Sequence, residues 1–428
     1  MTWFGFLIAF GCAGSNAPEP DPTSNGTQST VLATESALAL AKARRFNDEQ
    51  PRHLQHIAAS KRPAGLPDIK ASTCGACHQE IYAEWHISTH ARAWSGDPQF
   101  QAELAKARED GGDVSWMCKN CHTPLEQQLE TLVVSTENGL QFPTTIDNPS
   151  FDPDLQDEGI TCATCHVKDG KVLGPWGESN IPHATQKDPS LRTNDVCTQC
   201  HQASVGFPDL NLACMFETGE EFEKSDSNDG QTTCQTCHMP EIVRPLVEDG
   251  DERTTRRHWF AGSLIPKRPQ DAQMLETIES HYPEALAIKW QDLPKTVRPG
   301  ASTKLNLVVT NEGAGHQVPT GDPERFIQID MLAASGDNTT LATSQVRFGQ
   351  KHQWTPTIKK LEDTRIGPGE SKTLTLEFVA PQQGNVRLSV KGSKWRITDE
   401  NMDYHELHGK TVPSRQFFDN SWSITVAR

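Results

Sequence analysis

The chain has 428 residues, of which 35% are hydrophobic, and its formal net charge at pH 7 is −16. So acidic a chain has no basic stripe that could neutralise phosphates, which excludes nucleic acid as a partner. The modest apolar content indicates that something besides aliphatic side chains fills the interior.

The N-terminus carries the uncharged apolar run WFGFLIAFGC, which is too short to span a bilayer but has the length of an export signal. The residues Ala9-Phe10-Gly11-Cys12 resemble a bacterial lipobox, in which the signal is cut before the cysteine and that cysteine is lipid-modified. We therefore predict a signal peptide at residues 1–11 and a lipid anchor at Cys12 that holds the protein to the membrane. The alternative is an ordinary signal peptide with an incidental cysteine. Either signal places the protein outside the cytoplasm, in the periplasm or at the cell surface, and a lipid anchor indicates the outer membrane.

Residues 12–30 are rich in Pro, Ser, Thr and Asn and predict a flexible tether after the anchor. The following run VLATESALALAKARRF predicts a helix over residues 31–46, because strong helix formers precede basic residues in its last turn.

Five C-x-x-C-H motifs follow, where chance predicts roughly 0.01 in a chain of this composition. Each supplies two thiols for thioether bonds and a histidine for the proximal side of a haem iron. Zinc would need four ligands per site, and an odd number of pairs, each followed by His, fits zinc poorly. We therefore predict five c-type haems. The attachment residues are Cys74, Cys77, Cys118, Cys121, Cys162, Cys165, Cys197, Cys200, Cys234 and Cys237, and the proximal ligands are His78, His122, His166, His201 and His238.

The chain has sixteen histidines, so eleven remain beside the motifs. This excess predicts that a second histidine completes the coordination of most of the irons. Low-spin irons with two imidazole ligands reorganise little during electron transfer.

The predicted fold is mixed. A largely α-helical and loop-rich multihaem domain with flanking helices covers residues 31–290, and includes a helix over residues 270–290 that Pro283 interrupts. An immunoglobulin-like β-sandwich covers residues 295–428, where runs such as STKLNLVVTN and SKTLTLEFVA alternate polar and apolar residues between Gly, Asn and Pro turns.

Seven short segments carry a family resemblance between residues 70 and 262. In chain order they are CGACHQEIYAEWHISTHARAW, GITCATCH, GPWGESNIPHA, DVCTQCH, FETGEEFEKS, QTTCQTCHMP and RRHWFAGS. They resemble the multihaem cytochromes of the cytochrome c554 type, which are related to the pentahaem nitrite reductase and hydroxylamine oxidoreductase group. The segment GAGHQVPTG (residues 313–321) resembles a loop at the start of β-domains attached to such cytochromes.

The resemblance implies distal iron ligation by His90, His183, His258 and His316. His316 would then join the β-domain to the haem domain through iron. The fifth distal ligand is not assigned: His86 and His281 are the main candidates and His56 is a further one. If none of them binds, one iron is open.

An electron carrier needs only closely spaced six-coordinate haems, whereas an enzyme needs one open iron. All five motifs end in His, so the C-x-x-C-K haem of the nitrite reductases is missing. We therefore expect electron transfer between redox partner proteins. The alternatives are a small-molecule redox enzyme, acting on a nitrogen or sulfur oxyanion, and a subunit of an extracellular cytochrome assembly. Whether the chain is an enzyme stays open at this point.

Overall fold

The computed structural model describes residues 24–108, 112–177, 181–210 and 212–427. The predicted signal peptide and Cys12 lie outside the described residues. Helix α1 (Ser24–Asp48) begins within the stretch that we predicted to be a tether, so residues 24–30 are helical. Within the described part of the chain, no helix has the length and apolar character needed to cross a membrane.

The remaining helices before the β-domain are short, with five to nine residues each. Five of them hold or end at a C-x-x-C-H motif, and the others lie between motifs. They are α2 (Ala71–Gly75), α3 (Gln79–His86), α4 (Pro98–Lys106), α5 (Ser115–His122), α6 (Pro153–Asp157), α7 (Cys162–His166), α8 (Asp195–His201), α9 (Thr218–Glu223), α10 (Cys234–His238) and α11 (Ala272–Glu279).

The prediction of a largely α-helical haem domain is wrong. The structure is 26% helical and 32% strand, with three small sheets between the motifs and a fourth after the last motif. Segments rich in β-branched residues, such as TLVVS, pair locally instead of continuing a helix. The sheets consist of β1 (Thr131–Ser135) with β2 (Thr144–Asp147); β3 (Val167–Lys168), β4 (Lys171–Gly174) and β5 (Thr185–Lys187); β6 (Ala203–Phe207) with β7 (Leu212–Phe216); and β8 (Glu241–Pro245) with β9 (Glu252–Arg256).

The C-terminal part consists of two sheets that pack face to face. One has the strand order β10-β12-β16 and the other the order β11-β18-β17-β13-β14-β15. Alternate residues of both sheets, among them Leu307, Ile329 and Leu388, form one shared and fully buried core. The elements are β10 (Leu286–Gln291), β11 (Thr296–Val297), β12 (Ser302–Asn311), β13 (Phe326–Ser335), β14 (Thr340–Gln353), β15 (Lys359–Asp363), β16 (Ser371–Val379), β17 (Asn385–Trp395), α12 (Asp399–Tyr404) and β18 (Ser414–Val426).

The predicted helix over residues 270–290 is shorter in the structure. It ends at Glu279, and residues 286–291 form strand β10, which pairs antiparallel with β12. Leu286 and Ile288 enter the sandwich core, so burial in the sheet decides the conformation of this segment.

Buried polar contacts join the haem domain to the sandwich. Asp97, the residue before α4, accepts two hydrogen bonds of 2.9 Å from Arg396 and also pairs with Lys267. Glu221 on α9 accepts a hydrogen bond of 2.5 Å from Arg365. The two domains therefore contact each other through paired charges that are largely withdrawn from solvent.

Candidate haem sites

Each motif lies on or beside a short helix, which sets the direction of its side chains. Helices α5, α7, α8 and α10 end at the motif histidine, and α2 holds the first cysteine of the first motif. Residues three and four apart are neighbours on a helix face, so both thiols and the histidine come together, as a thioether-bound haem requires. We number the sites in chain order by their proximal histidines: site 1 has His78, site 2 His122, site 3 His166, site 4 His201 and site 5 His238.

Four of the motif histidines face a second histidine ring. The centroids of the paired rings are 6.2 to 6.4 Å apart. Imidazole nitrogens bind metal ions at about 2 Å, so two rings on one iron have centroids about 6.3 Å apart. The pairs are His78 with His183 in site 1, His166 with His258 in site 3, His201 with His90 in site 4, and His238 with His316 in site 5.

Hydrogen bonds at Nδ1 orient most of these rings. A backbone carbonyl can only accept, so Nδ1 carries the proton and the Nε2 lone pair stays available for iron. The donor and acceptor pairs are His78 to Leu246 (2.9 Å), His122 to Ala93 (2.7 Å), His166 to Leu173 (2.9 Å), His238 to Ala261 (2.7 Å), His258 to Arg256 (2.9 Å) and His316 to Gln317 (2.9 Å).

Burial keeps several of the rings neutral. It lowers the pKa of His90 to about 3, and the pKa of His201 and of His258 to about 4. The neutral imidazole is the form that binds a metal ion. In sites 1, 3, 4 and 5 the histidine spacing and the two neighbouring thiols fit covalently bound haem, and in sites 1, 3 and 5 the Nδ1 hydrogen bonds add to this fit.

Site 2 differs from the other four. The ring of His122 stacks on Phe100 with a centroid distance of 3.6 Å and an interplanar angle of 4°. Among the described residues, no second histidine ring faces His122. His86 stacks on Tyr82 at 5.7 Å, and His281 contacts Trp259 at 4.8 Å. The structure therefore brings neither of the two main candidates to this site.

His56, the further candidate, also has another partner. Its Nε2 lies 3.8 Å from a carboxylate oxygen of Glu126.

Contacts between motif cysteines show which sites are neighbours. The thiol of Cys74 in site 1 contacts that of Cys162 in site 3, and Cys197 in site 4 contacts Cys234 in site 5. Cys200 of site 4 contacts Cys121 of site 2, and it also interacts electrostatically with Cys165 of site 3. Among the ten motif cysteines, Cys77 in site 1 and Cys237 in site 5 are the exposed ones.

The structure also identifies a site residue that the sequence patterns do not reveal. Glu84 on α3 is buried and accepts a 2.9 Å hydrogen bond from the backbone N–H of His258. Its other partners, Arg244 and Arg257, are 160 and 173 residues away in the chain, so no local pattern could have predicted the contact.

Two comparisons with known proteins bear on the motifs and the fold. The family model described as cytochrome c554 and c-prime matches residues 73–142, which contain the first two motifs. A pentahaem cytochrome c552 from Thermochromatium tepidum has a similar structure, with a TM-score of 0.57 and 17% sequence identity over 85% of this chain and 100% of that one. This is the fold of a multihaem c-type cytochrome. With the five motifs, it supports covalent c-type haem.

Other solved structures are less similar to the chain. The CARDB domain of the PF1109 protein from Pyrococcus furiosus matches 33% of this chain and 87% of its own, with 16% identity and a TM-score of 0.17. None of the curated proteins matches the chain. The grouping with nitrite reductase and hydroxylamine oxidoreductase therefore stays a prediction.

Proposed function

We propose that this cytochrome transfers electrons between redox partner proteins through five c-type haems, four of them held by two histidines each. The observation that carries the proposal is the 6.2 to 6.4 Å spacing of four histidine pairs. Bound haem supplies reversible one-electron chemistry at each site.

The protein's own residues hold and orient the cofactor. In sites 3 and 5, backbone carbonyls that accept from Nδ1 orient both rings of the pair, so a change of oxidation state needs little rearrangement there. The cysteine contacts place neighbouring sites side by side, and the exposed Cys77 and Cys237 lie in sites 1 and 5. These two sites are therefore the ones we expect redox partners to approach.

Electron paramagnetic resonance of the oxidised protein tests the proposal. We expect low-spin signals typical of two imidazole ligands from sites 1, 3, 4 and 5. A pyridine haemochrome measurement should give five haems per chain. Mainly high-spin iron, or fewer than four low-spin sites, would contradict the proposal.

Site 2 supports a second candidate function, a redox enzyme for a nitrogen or sulfur oxyanion. The observation in its favour is that, among the described residues, no second histidine ring faces His122 at the spacing of the other four pairs, and His122 is stacked on Phe100. We expect one high-spin ferric signal and the binding of one carbon monoxide per reduced chain. Assays with nitrite and sulfite, with a reduced viologen as electron donor, then test turnover. A fifth low-spin signal and no carbon monoxide binding would exclude this function.

We also propose an extracytoplasmic location with a lipid anchor at Cys12. The support is the lipobox-like sequence and the chemistry of haem attachment at five C-x-x-C-H motifs. Labelling of cells with radioactive palmitate should mark the wild-type protein but not a Cys12→Ser variant. Equal labelling of both proteins, or of neither, would contradict the anchor.

A further inference from the structure

Glu84 lies at the centre of a buried network beside site 3. Its carboxylate accepts hydrogen bonds of 2.6 and 2.9 Å from the two Nη atoms of Arg244 and a third, of 2.5 Å, from Arg257. The side chain of Glu84 is only 5% exposed and that of Arg244 only 4%. Burial raises the pKa of Glu84, but the two arginines and the N–H of His258 lower it by more. The pKa is therefore below its usual value, and the carboxylate is ionised.

The same network fixes both the backbone and the ring of His258. The backbone N–H of His258 donates to Glu84 at 2.9 Å, and its Nδ1 donates to the carbonyl of Arg256 at 2.9 Å. That carbonyl also accepts a hydrogen bond of 3.2 Å from Arg244. Glu84 therefore contacts His258 directly and, through Arg244, also reaches the carbonyl that orients its ring.

The network also determines the charge near the ring of His258. Glu84 faces two cations, Arg244 and Arg257. Arg244 also pairs with Glu80, whose side chain is 66% exposed and whose carboxylate oxygen lies 3.3 Å from Nη1 of Arg244. Solvent screens an exposed carboxylate strongly, so Glu84 supplies most of the negative charge that offsets the two arginines.

We propose that Glu84 is the positioning residue of site 3: it holds His258 opposite His166 and sets the reduction potential of that iron by offsetting the charge of Arg244 and Arg257. This inference rests on the proposed histidine ligation and adds a residue that acts through His258 and the two arginines. Without the carboxylate, the uncompensated cations favour the added electron, so the potential of site 3 rises.

The experiment compares Glu84→Gln with Glu80→Gln in the full, haem-loaded chain. Both residues lie on α3 and contact the same arginine, so Glu80→Gln is a matched control. In Glu84→Gln we expect the low-spin signal of site 3 to shift. In a potentiometric titration, the ratio of reduced to oxidised iron at that site should rise about tenfold at a fixed potential, since a nearby charge shifts a coupled equilibrium by one to three logarithmic units. A His258→Met variant, which alters the same signal, assigns it to site 3.

The Glu84→Asp variant distinguishes the effect of the carboxylate's charge from the effect of its position. It also replaces Glu84→Gln as the test if that variant does not fold. The shorter carboxylate keeps the charge, so the potential should stay near that of the wild type while the signal of site 3 broadens. The inference is overturned if Glu84→Gln matches Glu80→Gln in both measurements, or if Glu84→Asp shifts the potential as far as Glu84→Gln. Failure of the proposed ligation would be recognised separately, because the wild-type protein would then lack the low-spin signals.

Discussion

The contact between the two domains depends on Asp97, whose removal should destabilise the protein strongly. Its side chain is 3% exposed and accepts two 2.9 Å hydrogen bonds from Arg396, whose side chain is 9% exposed. Lys267 pairs with the same carboxylate. Although burial raises the pKa of Asp97, Lys267 and Arg396 lower it well below its usual range, so the group is ionised at pH 7.

The Asp97→Asn variant keeps the size of the side chain and removes its charge. The buried Arg396 and the partly buried Lys267 then lose their partner, and breaking a buried ion pair in this way costs about 3–5 kcal/mol of unfolding free energy. The pKa of Asp97 is lower in the folded than in the unfolded state, so this contribution is present above a pH of about 4, the unfolded pKa, and is lost as the pH falls through the folded value.

Guanidinium unfolding, followed by far-ultraviolet circular dichroism at pH 7, measures the loss. The matched control is Glu377→Gln, which removes a partner of Lys304 at 3.1 Å from a pair whose side chains are 61% and 63% exposed. An exposed pair contributes about 0–1 kcal/mol, so the control should unfold almost like the wild type. A loss below about 1 kcal/mol in Asp97→Asn would refute the reasoning on buried charge.

Three further perturbations have distinct expected outcomes. In His316→Ala, site 5 should lose its low-spin signal and the reduced protein should bind one more carbon monoxide; an unchanged spectrum would count against His316 as a ligand. For Glu126, burial raises the pKa but hydrogen bonds from neighbouring groups lower it to about 2. Glu126→Gln should therefore lower the free energy of unfolding by about 3 kcal/mol at pH 7. The difference from the wild type should disappear as the pH falls from about 4.5 towards 2, which urea unfolding at several pH values measures. In Gly65→Ala the new Cβ would lie 1.8 Å from the carbonyl oxygen of Pro182, next to the facing histidine of site 1, so the low-spin signal of that site should change. Gly230→Ala, with a similarly positive φ of 79° but nothing within 4 Å, is the control and should leave the signal intact.

The sequence predicts the haem-bearing residues because their chemistry is local. A C-x-x-C-H motif contains its own attachment thiols and proximal histidine, so its function does not depend on distant residues. The facing histidines, such as His90 and His316, could be named only through the family resemblance, and the structure brings each one to a motif histidine. Their ligation stays a proposal, and so does the state of site 2.

Other features depend on tertiary contacts that no local pattern contains. The run LAIKWQ of β10 contains good helix formers, yet pairing with β12 and burial of Leu286 and Ile288 make it a strand. The small sheets of the haem domain were missed because their strands, of two to five residues, are too short to show a clear period. Glu84 could not be identified because its cationic partners lie far away in sequence.

The contacts of site 4 give the set of sites a branched connectivity. Site 4 adjoins site 5 through Cys197 and Cys234, and site 2 through Cys200 and Cys121; its link to site 3 leads on to site 1. If haems occupy all five sites, electrons can pass between sites 1 and 5 through sites 3 and 4. Site 2 then lies to one side of this route, next to site 4.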